Sequence, residues 1–258
     1  MKFLLTALLM AGLATAGHTE TLSGLCMVSA SHNNRDTADV MFRSSDCSDD
    51  GHNCSMSNNS DMAWSRWTGV SAEALQKEGA QLDALMSGEA GELLCSGTVH
   101  DGVLSGRYTF TANPAFVQKM TSMGFDEITP RKQESFLMLD VTSTWVQQMK
   151  DAGVTELTTN KLMGLKALRV DQSFIRGMSE AGYPELRASK LTEMKAVGVT
   201  PEKAKEAKAL GFHPTEQELI QMSIFKIDRP FVERMRARGL TDLTLAKLIK
   251  VKIFKLDE

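Results

Sequence analysis

From residue 113 onward, apolar positions recur with helical spacing, and the pattern itself repeats. Phe116, Val117 and Met120 stand at i, i+1 and i+4, on one face of a helix. The set returns as Trp145, Val146 and Met149, as Phe174, Ile175 and Met178, and as Phe231, Val232 and Met235. The copy following Thr200 is the exception and offers only Ala204 and Ala207. A second stripe follows in each copy: Leu162, Leu165, Leu168 and Val170, then Leu191, Met194, Val197 and Val199, then Leu219, Met222, Phe225 and Ile227, then Leu248, Val251, Phe254 and Leu256. The earliest version carries Phe136, Leu139 and Val141, with Gln133 at its first position, as a copy abutting a different module would.

The polar punctuation has the same period. Gly124, Gly153, Gly182, Gly211 and Gly239 are separated by steps of 29, 29, 29 and 28 residues. Asn113, Thr142, Asp171, Thr200 and Asp228 precede them, each with a side-chain oxygen able to accept from a free N–H of a helix's first turn. Pro114 and Pro201 fall at the first helical position, where a missing N–H costs nothing, and Arg229-Pro230 follows the last cap. Each glycine ends a helix in the left-handed conformation. This predicts five helical hairpins, at about 113–141, 142–170, 171–199, 200–227 and 228–258. A hairpin so short cannot bury its apolar face alone, so the copies should stack as an α-solenoid-like array.

Before residue 113 the periodicity is that of strands. Leu93, Cys95, Gly97 and Val99 alternate, His100-Asp101-Gly102 turns the chain, and Leu104, Gly106, Tyr108 and Phe110 alternate back. Gly97 and Gly106 leave one face thin, open to the close approach of a neighbouring backbone. Strands are predicted over residues 38–42, 53–57, 92–99 and 104–111, and a partly helical segment over 71–85 with Ser71 as its cap. Residues 61–69, with Trp64 and Trp67, fit no single pattern. The expected fold class is α+β: a small disulfide-bearing antiparallel β module over 17–112, then an all-α tandem repeat array over 113–258.

The first residues read as an address. Met1-Lys2 precedes an apolar run over 3–14, too short to span a bilayer, and Ala14-Thr15-Ala16 gives a small-x-small cleavage pattern. The expectation is a signal peptide over 1–16 and a mature chain from Gly17, periplasmic or secreted, with no membrane span. Cys26 follows Leu25 and lies too far downstream to be a lipidation site. In an oxidising compartment the four cysteines read as disulfides, Cys47 with Cys54 and Cys26 with Cys95. A metal site built on Cys47, His52 and Cys54 competes, but the spacing lacks a CxxC pair.

Charge divides at the same place as periodicity. Residues 17–112 hold 5 basic and 13 acidic side chains, and residues 113–258 hold 23 and 19. The net charge of −3 argues against a nucleic-acid partner. One segment argues the other way: Gly198-Val199-Thr200-Pro201 looks like a helix-hairpin-helix turn, with Lys195, Lys203, Lys205 and Lys208 as phosphate contacts. The alternative is a solvated lysine-rich face.

The stretch Gly97-x8-Gly106-Arg107-Tyr108-Thr109-Phe110-Thr111-x-Asn113-Pro114-x-Phe116, running into the repeats, resembles a family of bacterial exported proteins with a Gly-rich β segment followed by tandem helical repeats. Similar repeats are appended to membrane metallopeptidases of the β-lactam-sensor type. The resemblance covers about residues 88–258 well and 17–87 loosely. It implies export and a repeat scaffold. It does not imply peptidase activity, because the chain has no HExxH motif.

No GxSxG, P-loop or GxGxxG after a strand occurs, and no two histidines stand at i, i+4. No catalytic residue, metal ligand or cofactor is expected. The expectation is a non-enzymatic protein whose repeats bind another envelope or secreted protein, or a peptide. Two alternatives stand beside it. One is an envelope hydrolase with His52 or His100 beside a carboxylate and a nucleophile. The other is a regulatory accessory of a membrane-bound sensor peptidase.

Overall fold

The computed structural model describes residues 20–32, 34–45 and 56–256. The leader, His18, His52 and the Cys47–Cys54 pairing lie outside the described residues. Six strands form one antiparallel sheet: β1 (Thr21–Ala30), β2 (Thr37–Ser44), β3 (Met56–Ala63), β4 (Gln81–Gly88), β5 (Gly91–His100) and β6 (Val103–Ala112). Their order is β3-β2-β1-β6-β5-β4.

The β5–β6 hairpin pairs His100 with Val103 across a two-residue turn. Asp101 and Gly102 take φ of 51° and 76°, the sense of turn that suits the twist of paired strands. The Cys26–Cys95 disulfide joins β1 to β5 across the intervening β6, with 6.1 Å between the Cα atoms. Two strand spacings in a flat sheet would be about 9.5 Å, so the sheet curls sharply here. Gly97 and Gly106, which face each other in register, permit it. A Cβ on Gly106 would collide with the Ser96 carbonyl and lie 2.6 Å from the Gly97 Cα.

The sheet differs from the expectation at three places. The helical part of 71–85 is a single 3₁₀ turn at Ala74–Gln76, with Ser71 Oγ accepting the Ala74 N–H at 3.2 Å, and the rest is not helix, because Gly79 (φ 74°) breaks the helical path and the next residues pair with β5 as β4. The strand expected at 53–57 is β3, displaced toward Ala63. β1 went unseen because its outer face carries Leu25 and Met27, which blur the alternation of Leu22, Cys26 and Val28. The ambiguous stretch ends β3, makes a 3₁₀ turn at Trp64–Arg66 and bridges Thr68 to Leu85 of β4.

Ten helices follow among the described residues: α1 (Pro114–Ser122), α2 (Pro130–Leu139), α3 (Ser143–Asp151), α4 (Thr159–Ala167), α5 (Gln172–Glu180), α6 (Ala188–Ala196), α7 (Pro201–Ala209), α8 (Glu216–Ile224), α9 (Arg229–Ala237) and α10 (Leu245–Ile253). The chain is therefore α+β. Asn113, Thr142, Asp171, Thr200 and Asp228 are the N-caps of α1, α3, α5, α7 and α9, and each side chain accepts a first-turn N–H. Gly124, Gly153, Gly182, Gly211 and Gly239 all have φ between 78° and 95°, just past the ends of those helices. Thr129, Thr158, Thr215 and Thr244 cap four of the five second helices, Thr215 in a capping box with Glu218, and α6 starts after Arg187 with no side-chain cap.

The even-numbered helices each contact the next, and α1 meets α3 as α5 meets α7. Hydrogen bonds tie consecutive units together. Lys150 Nζ donates to the Met123 carbonyl (2.8 Å) and Arg236 to that of Leu210 (2.9 Å), one a repeat slot for the other, both at helix C-termini that favour cations.

The core does not divide where charge and cysteine usage do. Phe116, Met120, Phe125, Phe136, Leu137, Val146 and Leu162 join the sheet's inner face in one apolar cluster. A second cluster runs from Met149 to Leu248. Tyr108 sits in the first beside Arg131 and Glu134 of α2, where burial and then the Glu134 carboxylate push its hydroxyl up to about 12. At the far end, Phe254 and Leu256 are 65% and 66% exposed rather than buried, since no further described unit covers them.

Candidate binding site in the fourth repeat

Aligning the units on their caps shows what the fourth one lacks. The third residue after each cap is Phe116, Trp145, Phe174, Lys203 and Phe231. In three units a lysine near the end of the second helix lies over that ring: Lys166 over Trp145 at 5.0 Å, Lys195 over Phe174 at 4.5 Å and Lys252 over Phe231 at 4.2 Å. These are cation–π distances. In the fourth unit both members of the pair are replaced, the ring by Lys203 and the lysine by Ser223. The buried methionine of the other units (Met120, Met149, Met178, Met235) is replaced by Ala207.

The three replacements line one cavity of about 190 Å³ between α7, α8 and the start of α9. Its buried lining is apolar: Val199, Ala207, Leu210, Leu219, Met222 and Ile227. Its rim is charged: Lys203, Glu206, Lys226, Asp228 and Arg229. The two carboxylates are already engaged. Glu206 Oε1 accepts from Arg229 Nε at 3.1 Å, and Asp228 accepts the Phe231 N–H at 3.0 Å as the cap of α9. Lys203, with no ring to meet, donates to the Gly198 carbonyl at 2.6 Å. Ser223 Oγ donates to the Val197 carbonyl at 2.6 Å. Lys226 has no ion-pair partner among the described residues.

Comparisons with known proteins add no lead. No family model, curated protein or solved structure matches the chain. The site is judged on its geometry.

The other candidate sites are arranged differently. His100 Nδ1 lies 2.8 Å from Glu78 Oε1, both side chains 65% exposed, and the Asp101 N–H reaches Glu78 Oε2 at 3.0 Å. These hydrogen bonds hold the Glu78 carboxyl below its ordinary pKa and brace a hairpin turn. Among the described residues, no group of three or more His, Cys, Asp or Glu converges as a metal ion would need. The four lysines of the helix-hairpin-helix reading are each engaged. Lys195 and Lys208 lie over Phe174 and Tyr183, Lys205 sits 3.7 Å from Glu180, and Lys203 binds Gly198.

A second cavity, of about 340 Å³, lies where β3 meets α2 and α4. Three of its charged side chains are grouped. Arg66 donates to the Met138 and Leu137 carbonyls at 2.8 and 2.6 Å, and Asp140 stands 3.9 Å from Arg66 and 3.8 Å from Lys166. Burial lowers the pKa of both Arg66 and Lys166 against the pull of Asp140. This arrangement clamps the end of α2 to the sheet.

Of the residues singled out from sequence, the five caps and five glycines shape every unit, Cys26 and Cys95 bridge the sheet, and none of them except Asp228 lines the fourth-unit cavity. The missing aromatic and methionine of the fourth unit were legible. That a lysine of the second helix lies over the ring of the first was not, because the contact joins two helices that only the fold brings together.

Proposed function

We propose that this chain is a non-enzymatic exported protein whose repeats form an α-solenoid-like scaffold that binds a protein or peptide in the cell envelope. The observation that carries this reading is the fourth-unit cavity. Four units fill their own cores, and the fourth gives up a ring, a lysine and a methionine side by side. Large-to-small changes in a core cost stability, typically about 2–5 kcal/mol for methionine to alanine. A local loss at three neighbouring slots fits a surface kept open for a ligand. Apolar depth with a few polar groups at the mouth is the usual make-up of such sites.

Export is supported by the leader pattern and by the Cys26–Cys95 bridge, since disulfides persist in oxidising compartments. No described helix is long and apolar enough to cross a membrane. A regulatory accessory of a sensor peptidase is one form this binding role would take, and it rests on the resemblance of the repeats. The hydrolase reading needs a nucleophile beside the His100–Glu78 pair, whereas that pair braces an exposed turn.

Crosslinking in the intact envelope tests the proposal. The bait is the full chain with its own leader, because the first units share their core with the sheet. One dominant crosslinked protein is the expected result. Recovery of no partner across crosslinkers of different reach overturns the reading.

A further inference from the structure

We infer that the fourth-unit cavity receives an aromatic side chain from the carboxy-terminal residue of a partner polypeptide. The inference rests on the binding reading above and adds the chemistry of the ligand. The cavity occupies the place where three other units hold their own ring under an ammonium, and the fourth unit has an ammonium, Lys203, at its mouth. An incoming ring restores the pair that the unit lacks. The size agrees: about 190 Å³ is close to the ~150 Å³ of an apolar cavity that admits benzene, and below the ~300 Å³ lower end for drug-sized ligands. One ring fits.

Charge points to the carboxylate. The rim carries Lys203, Lys226 and Arg229 against Glu206 and Asp228; Arg229 and Glu206 pair with each other and Asp228 caps α9, which leaves the two lysine ammoniums to meet a ligand's charge. Lys226 sits at the end of α8 with φ of 52°, between the buried Leu219–Met222 lining and the buried Ile227. A carboxylate attached to the same Cα as the ring meets the rim cations as the ring enters. Met222, with its flexible thioether, can adjust to the ring's outline.

The test is a titration of the full mature chain, methyl-labelled at methionine, with three probes: N-acetyl-Gly-Phe as the free acid, the same peptide as the carboxamide, and N-acetyl-Gly-Ala as the free acid. Expected is a saturable ring-current shift of the Met222 methyl with the first probe, and binding about tenfold weaker or less with the other two. Ala207→Met fills the cavity from within, and Lys203→Phe supplies the missing ring. Either should abolish the shift while the far-UV spectrum stays native. Equal binding of acid and amide overturns the assignment, as does undiminished binding by a folded Ala207→Met chain. A partner captured equally by wild type and Ala207→Met also overturns it, and leaves the scaffold reading standing. Loss of all capture by the wild type removes the scaffold reading itself.

Discussion

The Glu89 carboxylate accepts the backbone N–H of Ser143 at 2.9 Å, so a turn of the sheet caps the first helix of the second repeat. The Glu89 carbonyl also accepts from Asn113 Nδ2 at 2.8 Å, and Asn113 in turn caps α1. Two repeats are thus pinned to one β-turn. Replacing Glu89 with alanine should cost about 1 kcal/mol, the value of a helix cap or a single hydrogen bond. Amide exchange at Ser143 should quicken in that variant while exchange in α9 and α10 stays unchanged.

Reducing the bridge should loosen the sheet. Cys26 and Cys95 are 69 positions apart in sequence. A loop of that length limits the unfolded chain enough to be worth about 4 kcal/mol, less whatever native strain takes back. Cys26→Ala combined with Cys95→Ala should lower the denaturant midpoint of the sheet and of α1 and α2, whose core is shared. An unchanged midpoint would show that the sheet needs no bridge.

How much of this was legible in the sequence depends on where the information lay. The repeat array was readable because each cap and each glycine acts within its own turn of chain. Asp171 needs only Phe174, three residues on, to show its role. The sheet was readable in the β5–β6 hairpin, where Asp101-Gly102 makes a tight turn, and in β2, where the strand expected at 38–42 lies within Thr37–Ser44. β1 pairs with β6 across some eighty residues, with Thr21 opposite Thr111, and nothing local announces it. Ser71 and Glu73 signal a helix start, but beyond Gly79 the pairing of β4 with β5 decides the structure. The cavity was half-visible: Ala204 and Ala207 stood out, but the meaning of Ser223 in a lysine slot depends on the contact of that lysine with the ring of the first helix, which spans some twenty residues of chain.

Acid should weaken the third unit. Burial pushes the Asp171 carboxyl up, but the Phe174 N–H, the Ser173 hydroxyl and Lys195 outweigh it, so its folded pKa lies below the ordinary value. A depressed carboxylate contributes its stability in full above the unfolded pKa, about 3.9, and loses it as pH falls through the folded pKa. Asp171→Asn keeps an N-cap that does not titrate. Its stability should change less than that of the wild type below about pH 4, followed by tryptophan fluorescence of Trp145 in the neighbouring unit. Parallel curves for the two chains would contradict the role of the carboxylate.

Filling the fourth unit should make the protein more stable. Ala207→Met places there the residue that the other four units carry, in a cavity that has room for it. Cavity filling of this kind commonly adds about 0.5–2 kcal/mol. In a chain of this size that is a rise of about 2–4 °C in Tm for each kcal/mol. A fall in Tm would mean that the pocket is not empty apolar space.

The most direct measurement is crosslinked capture in the intact envelope by wild type and Ala207→Met chains at equal abundance. The account predicts that the wild type captures a dominant partner and that the better-packed variant loses it. Equal capture by both would contradict the claim that the array binds through its fourth unit.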